Sequence, residues 1–331
     1  MKNTIVYIFI TTGFFLVGYF LTADRVNEEV TFTRSSFLLG TLVEITVTAS
    51  DETLAETAIR NAFDEINRVD SLLSTYIPES PVSQFNASTD SVLQINTEIF
   101  NLMKICDSVN NISRGKFDAS LENLIRVWGF DSDTPHLPEA EEIKSALSQC
   151  GWKNIRLFGE NTVFRSNFVR LNFGGIGKGY AVDKAMEVLK KMDINSAILN
   201  AGGDVKVFGS VMIIGIRNPY ESGAIINSIK LDALSVATSG NYENYFERGG
   251  IRYHHLFDPS TGYPARELSS VSVIHKSNTF ADALSTAVFV MGKEDGLKLI
   301  NRLADTEAMI IDTTGEVFYS DGFADYIYKV K

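Results

Sequence analysis

Between residues 52 and 73, apolar side chains recur at Leu54, Ala58, Ile59, Ala62, Phe63, Ile66, Val69 and Leu73. This three-and-four spacing puts them on one face of a helix. Just before it, residues 37–48 alternate and are rich in β-branched side chains, which predicts a strand. A polar loop with Pro78, Pro81 and Asn86 follows, then a second helix over 97–111. Residues 131–138 read as loop and 139–149 as a short helix. Strand-like runs then recur at 155–157, 169–173, 197–199, 211–216, 225–231 and 268–274. Helical stretches at 179–192, 279–290 and 293–303 lie among them. Residues 308–311 and 317–319 predict a hairpin around Thr314-Gly315. No repeat, low-complexity tract or compositional break marks a linker, so the pattern predicts one α+β domain, mixed in its order of helices and strands.

The amino terminus departs from this pattern. Lys2 precedes an uncharged run from Asn3 to Ala23 that includes Ile8, Phe9, Phe14 and Leu16, and the next charge is Asp24. A basic start before an apolar stretch is the pattern of an export signal. The run is also nearly long enough to span a bilayer. Residues 1–23 are therefore expected to be a signal peptide, with Leu21-Thr22-Ala23 as a weak cleavage site, or a membrane anchor over 5–21. No cysteine stands near this segment for lipid attachment. Cys106 and Cys150 are expected to be ordinary buried thiols, although an exported protein could pair them. The net charge of −11 excludes a nucleic-acid partner as an expectation, because phosphate backbones are bound by excess Lys and Arg. A hydrophobic fraction of 45% against 21% charged excludes chain-wide disorder.

Four segments carry candidate chemistry. Residues Asn172-Phe173-Gly174-Gly175-Ile176-Gly177-Lys178-Gly179 read as a strand end, a glycine turn and a helix start, where free N–H groups favour anions. The run fits neither the P-loop nor the G-x-G-x-x-G pattern, and a purely structural turn explains it as well. Asn200-Ala201-Gly202-Gly203-Asp204 and Ala237-Thr238-Ser239-Gly240 add two more turns, each read as following a strand. His254 and His255 stand before the turn Asp258-Pro259-Ser260-Thr261-Gly262. Adjacent strand residues face opposite ways, so the pair does not suit one zinc ion. A single histidine acting as general base, or one merely satisfied by the turn, remain the readings. Finally, Asp282, Ser285 and Thr286 share a helix face, which suits a hard cation such as Mg²⁺ or a plain amino-terminal cap.

Taken in order, these segments resemble the ApbE family of FAD:protein FMN transferases over nearly the whole chain after the signal. Leu39-Gly40-Thr41 is similar to the family's early M-G-T, and Ser74-Thr75-Tyr76 with Ser80 through Asn86 to its serine-rich loop. Phe117-Asp118 followed by Trp128-Gly129-Phe130 resembles its next segment. The glycine turn with Lys178-Gly179-Tyr180, then Asn200 to Asp204, Thr238-Ser239-Gly240, His255 to Pro264 and Ala281 to Thr286 complete the order. The resemblance implies an α+β fold, a single mixed α/β domain of the ApbE (T-fold-like) type over 24–331. It implies Mg²⁺ held by Asp282, Thr286 and the carbonyl of Gly175. It implies an FAD site lined by Leu39, Tyr76, Lys116, Phe117, Asp118, Asn172, Lys178 and Ser285, with His255 as base. Leu39 replaces a usual Met, Lys116 a small residue and Asn172 a frequent Asp.

The implied activity splits FAD and attaches FMN to a Thr or Ser hydroxyl of an acceptor protein, releasing AMP. The acceptors implied are membrane-linked electron-transfer proteins with an Asp-Gly-x-[ST]-Gly-Ala-[ST]-type motif, which this chain lacks. Two other activities stay open: an Mg²⁺-dependent FAD pyrophosphatase, and an exported flavin- or solute-binding protein without chemistry. The expected location is periplasmic or at the outer face of the cytoplasmic membrane.

Overall fold

The computed structural model describes residues 29–329 apart from positions 133 and 167. The signal or anchor expected at 1–23, with 5–21 as its membrane part, lies outside the described residues. Among the described residues no helix is long and apolar enough to cross a membrane.

The chain opens with strands β1 (Val30–Leu38) and β2 (Thr41–Ala49), followed by helices α1 (Glu52–Leu73) and α2 (Pro81–Ala87). Next come β3 (Val92–Gln94), α3 (Thr97–Ile112), α4 (Glu122–Trp128), α5 (Ala140–Ser148), β4 (Ile155–Phe158) and β5 (Thr162–Arg165). Helix α6 (Gly177–Lys190) leads into β6 (Ile194–Ala201), β7 (Asp204–Phe208), β8 (Val211–Arg217), β9 (Ile225–Asp232) and β10 (Ser235–Gly240). The hairpin β11 (Tyr245–Arg248) and β12 (Ile251–His254) precedes β13 (Leu268–His275). Helices α7 (Asn278–Met291) and α8 (Lys293–Ile300) and strands β14 (Glu307–Asp312) and β15 (Val317–Tyr319) finish the domain.

Eight strands form one sheet in the order β1-β2-β6-β7-β10-β13-β14-β15, every neighbouring pair antiparallel. One face is covered by helices. Val43, Ile45, Val47, Leu199, Ala237 and Val273 point into the core that α1, α6 and α7 close. The other face is covered only in part. The two-stranded ribbon β8–β9 packs Ile216, Ile229 and Leu231 against Val205, Val207, Val236, Ile274 and Met309. Over β1 and β2 that face is bare, with Phe37 73% and Leu42 60% exposed. In a third cluster Trp128 packs among Leu124, Phe130, Tyr253 and Phe257 and donates its indole N–H to the Gly262 carbonyl.

The amphipathic helix read at 52–73 is α1, capped by Asp51, whose side chain accepts from Leu54 N–H. The predicted 308–319 hairpin is β14–β15. Other expectations need correction. The strand expected over 37–48 is a hairpin, since Leu38 pairs with Thr41 and the two-residue turn Leu39-Gly40 has φ of 54° and 71°. Two positive φ values make the turn that matches strand twist, and only its second residue is a glycine that would announce it. The strand expected at 169–173 does not form. Val169, Leu171 and Phe173 are buried, but Leu171 gives its N–H and its carbonyl to the side-chain amide of Asn86 instead of to a strand. The polar loop contains a helix at Pro81–Ala87, started by Pro81 and capped by Ser80. The small residues at 237–240 lie within β10, not after a strand. Cys106 and Cys150 are both free and buried.

Candidate active site

A cavity of about 680 Å³ opens where four kinds of element meet: the β1–β2 turn, the carboxyl end of α1, the glycine turn before α6, and the amino-terminal half of α7. Its volume is that of a site for a large small-molecule ligand. Leu39, Tyr76, Lys116, Phe117, Asp118, Asn172, Gly175, Lys178, His255, Asp282 and Thr286 all line it. Ser285 does not. On α7 it is turned about 100° from Thr286, fully buried, with its hydroxyl donating to the Asp282 carbonyl and 2.8 Å from Ser239 Oγ.

At one end of the cavity the polar groups are densely tied. Helices α6 and α7 touch at Gly179, whose N–H donates to Asp282 Oδ2 at 2.9 Å. A side chain there would meet Asp282 Cβ at 2.7 Å and the Asn278 carbonyl closer still, so only glycine lets the helices approach. The Lys178 ammonium lies 3.2 Å from Asp204 and 3.8 Å from Asp282. Asp204, at the start of β7, accepts from Thr238 N–H through Oδ1, while its buried Oδ2 lies 3.2 Å from the Lys178 ammonium. Burial raises Asp204, against the attraction of Lys178 and with help from Asp282. Burial likewise lifts Asp282, again opposed by Lys178. Burial works against the Lys178 charge, but Asp204, Asp282 and Glu243 outweigh it and hold the ammonium charged. At this end one ammonium thus stands between the buried carboxyls of Asp204 and Asp282.

The donors present fit a magnesium ion. Among the described residues no three His, Cys, Asp or Glu side chains gather into a cage. What stands together is one carboxylate, Asp282, and one hydroxyl, Thr286, one turn apart on α7. The main chain of Gly175 lies against Thr286, close enough that a Cβ there would be 3.2 Å from Thr286 Oγ1. Mg²⁺ is commonly held by one or two carboxylates, with phosphate oxygens and water completing its shell.

His255 follows β12, and both its backbone N–H and its Nδ1 lie 3.2 Å from the Asn244 carbonyl. A carbonyl only accepts, so Nδ1 carries the proton and Nε2 keeps its lone pair. Burial lowers the imidazole from 6.5 to about 4, the Asn244 bond opposing and Lys178 assisting. At neutral pH the ring is an uncharged proton acceptor. His254 faces the other way, with Nε2 2.7 Å from the Ala265 carbonyl and its ring edge-on to Phe289.

Other members of the predicted set shape the walls. Asn172 accepts from Gly174 N–H and donates to Glu122, which fixes the glycine turn. Asp118 accepts from Ser120 and from Trp152 N–H, so its carboxylate braces the loop at 116–121. Lys116 pairs with Asp258 at 2.9 Å. Tyr76 stands at the mouth, 69% exposed. Asp204 and Ser239 join the site as members of the two turn segments named from the sequence, and Glu243 joins it with no sequence signal. The one signal for Asp204 was an acid directly after a glycine turn.

Residues 39–310 match the ApbE family. A Treponema pallidum protein named FAD:protein FMN transferase is 29% identical over 330 residues, which span 92% of this chain and 90% of that protein. A Rhodobacter capsulatus protein of the same name is 30% identical, over 90% of this chain and 58% of that protein. The crystal structure of the ApbE protein from Thermotoga maritima aligns with a TM-score of 0.85 at 33% identity, covering 91% of this chain and all of that one, 100%. The apo Pseudomonas stutzeri flavinyl transferase ApbE aligns with a TM-score of 0.80 at 30% identity, over 91% and 98% of the two chains.

Proposed function

The chain belongs to the ApbE family, and from that premise we propose that it is an Mg²⁺-dependent FAD:protein FMN transferase acting on a Thr or Ser hydroxyl. The single observation that carries this reading is the convergence of Asp282, Thr286, Lys178 and His255 on one end of a dinucleotide-sized cavity.

In the proposed reaction the acceptor hydroxyl oxygen attacks the FMN phosphorus of FAD. The bond from that phosphorus to the AMP oxygen breaks, and AMP leaves with the electron pair. His255 Nε2 takes the hydroxyl proton, which its neutral state permits. Lys178, held charged by its neighbours, lends a fixed positive charge to the pyrophosphate. Asp282, Thr286 and the Gly175 carbonyl would hold Mg²⁺, whose charge, when bound, neutralises that building on the phosphate oxygens. Asn172 and the glycine turn keep the main chain close to the ligand. Tyr76 offers a ring for the flat flavin, and Leu39, Phe117 and Asp118 complete the wall.

The acceptor is proposed to be a membrane-linked electron-transfer protein, met outside the cytoplasm. The support for that location is the basic-then-apolar pattern of residues 1–23, and a fusion reporter active only after export tests it. The activity is tested by incubating the protein from Asp24 onward with FAD, Mg²⁺ and an acceptor bearing the Thr motif. An acceptor mass increased by FMN, with AMP released, is expected. Release of FMN and AMP with the acceptor unmodified would make the protein an FAD pyrophosphatase instead.

A further inference from the structure

A second cavity, of about 380 Å³, lies on the partly covered face of the sheet, between β8 and strands β6, β7 and β10. It shares Thr238 and Glu243 with the first cavity. Those two residues stand at the charged end. Thr238 is tied to Asp204, which faces Lys178, and the next residue, Ser239, lies 3.2 Å from Thr286 Oγ1. The two cavities therefore share a wall at the charged end, and not at the Tyr76 mouth.

Its walls are unusual for a surface recess. Among the described residues, strand β8 pairs with β9 alone, so its other edge has no strand partner there. Ile213, 52% exposed, stands on that strand and on the cavity wall. The floor includes Glu44 and Asn200, which are cross-strand partners. Two residues before Glu44, on the same face, Leu42 pairs with Phe37. These two apolar side chains are exposed beside the Leu39-Gly40 turn that lines the first cavity. An open strand edge, an apolar shoulder and a wall shared with the charged end of the first cavity thus adjoin one another.

On the transferase reading above, which this inference rests on, the hydroxyl must reach phosphorus from the side away from AMP while FAD fills the first cavity. We propose that the second cavity is the acceptor site. An extended segment of the acceptor protein lies along the free edge of β8 as an added strand, rests apolar side chains on Leu42 and Phe37, and passes its hydroxyl between Thr238 and Glu243. Strand addition suits a modifying enzyme, because main-chain hydrogen bonds hold many sequences in one register. An unpaired edge is otherwise a hazard that proteins cover.

The test uses a blocked nonapeptide containing Asp-Gly-x-Thr-Gly-Ala-Thr as acceptor, and a second peptide with Ala in place of the hydroxyl residues as a non-reacting probe. Ile213→Lys and Leu42→Lys, both at exposed positions, should raise the KM for the reactive peptide at least tenfold. FAD affinity, read from flavin fluorescence, and the thermal melting point should stay at wild-type values. The non-reacting peptide should slow amide exchange across 211–217. An unchanged KM in both variants, or protection confined to the Tyr76 mouth, overturns the docking site while leaving transfer intact. Failure of the wild-type protein to modify any hydroxyl acceptor, with FAD and Mg²⁺ bound, removes the transferase reading and this one with it.

Discussion

Replacing Gly179 with Ala tests the junction on which the site is built. Within a helix alanine is favoured over glycine by up to about 1 kcal/mol, so even at Gly179, the third residue of α6, isolated α6 would gain. The structure opposes this gain. The added methyl would sit 2.7 Å from Asp282 Cβ and nearer still to a main-chain carbonyl of Asn278, which cannot rotate away. Overpacking of this kind costs about 1–3 kcal/mol. Parting the helices also lengthens the 2.9 Å bond from Gly179 N–H to the Asp282 carboxylate, and a bond to a charged group contributes about 1.5–3 kcal/mol. The net expectation is a loss on the order of 2–4 kcal/mol, with weaker FAD binding because Asp282 and Lys178 move. Urea unfolding at pH 7, followed by far-UV circular dichroism, measures the first; flavin fluorescence measures the second. Gly115→Ala is the comparison, since φ there is +81° but the space is open, so it should cost only the backbone strain of about 1–2 kcal/mol. A Gly179→Ala protein as stable as wild type, or more stable than Gly115→Ala, would refute the described contact between α6 and α7.

Three further outcomes are expected. Asp282→Asn should lower FMN transfer at least about a hundredfold, because it removes the one carboxylate of the proposed metal site; calorimetry should show weakened Mg²⁺ binding alongside, and retained transfer would dismiss that role. Buried His254 titrates near 4 instead of 6.5, so between those values the unfolded chain binds the extra proton. Its contribution is complete above pH 6.5 and is lost as pH falls toward 4, on the order of 3 kcal/mol; unfolding at pH 7 and 4.5 should show a shallower acid loss in His254→Phe than in wild type. Trp128 is fully buried and bonded to the Gly262 carbonyl, so Trp128→Ala should cost about 3–5 kcal/mol, seen as a drop in urea midpoint.

Local patterns carried much of this protein. The 22-residue helix α1 was legible from its apolar spacing because burying one helix face imposes that spacing wherever the helix docks. The β14–β15 hairpin was legible from its turn, and the order of the short motifs was enough to mark the family. Hydrogen-bond exchanges between distant segments were not legible. Leu171 lies in a strand-like run, yet its backbone is satisfied by Asn86, 85 positions away in the chain, so no ladder forms. The Leu39-Gly40 turn is hidden inside an apolar alternation, because a two-residue turn between two strands leaves that alternation nearly intact.

The site divides in the same way. Asp282 and Thr286 stand one turn apart on a single helix, so their shared face followed from sequence spacing alone. Their neighbours did not. Lys178, Asp204 and Asp282 are brought within 3.8 Å by the packing of α6, β7 and α7, and charge interactions act through space, not along the chain. Ser285 shows the limit from the other side: helical spacing put it near the metal face, but packing against Ser239 turned its hydroxyl into the core. The sequence by itself determined which residue types the chemistry has to work with and the elements that bear them. Only the tertiary structure decided which of them share one cavity, because burial and proximity are properties of packed surfaces.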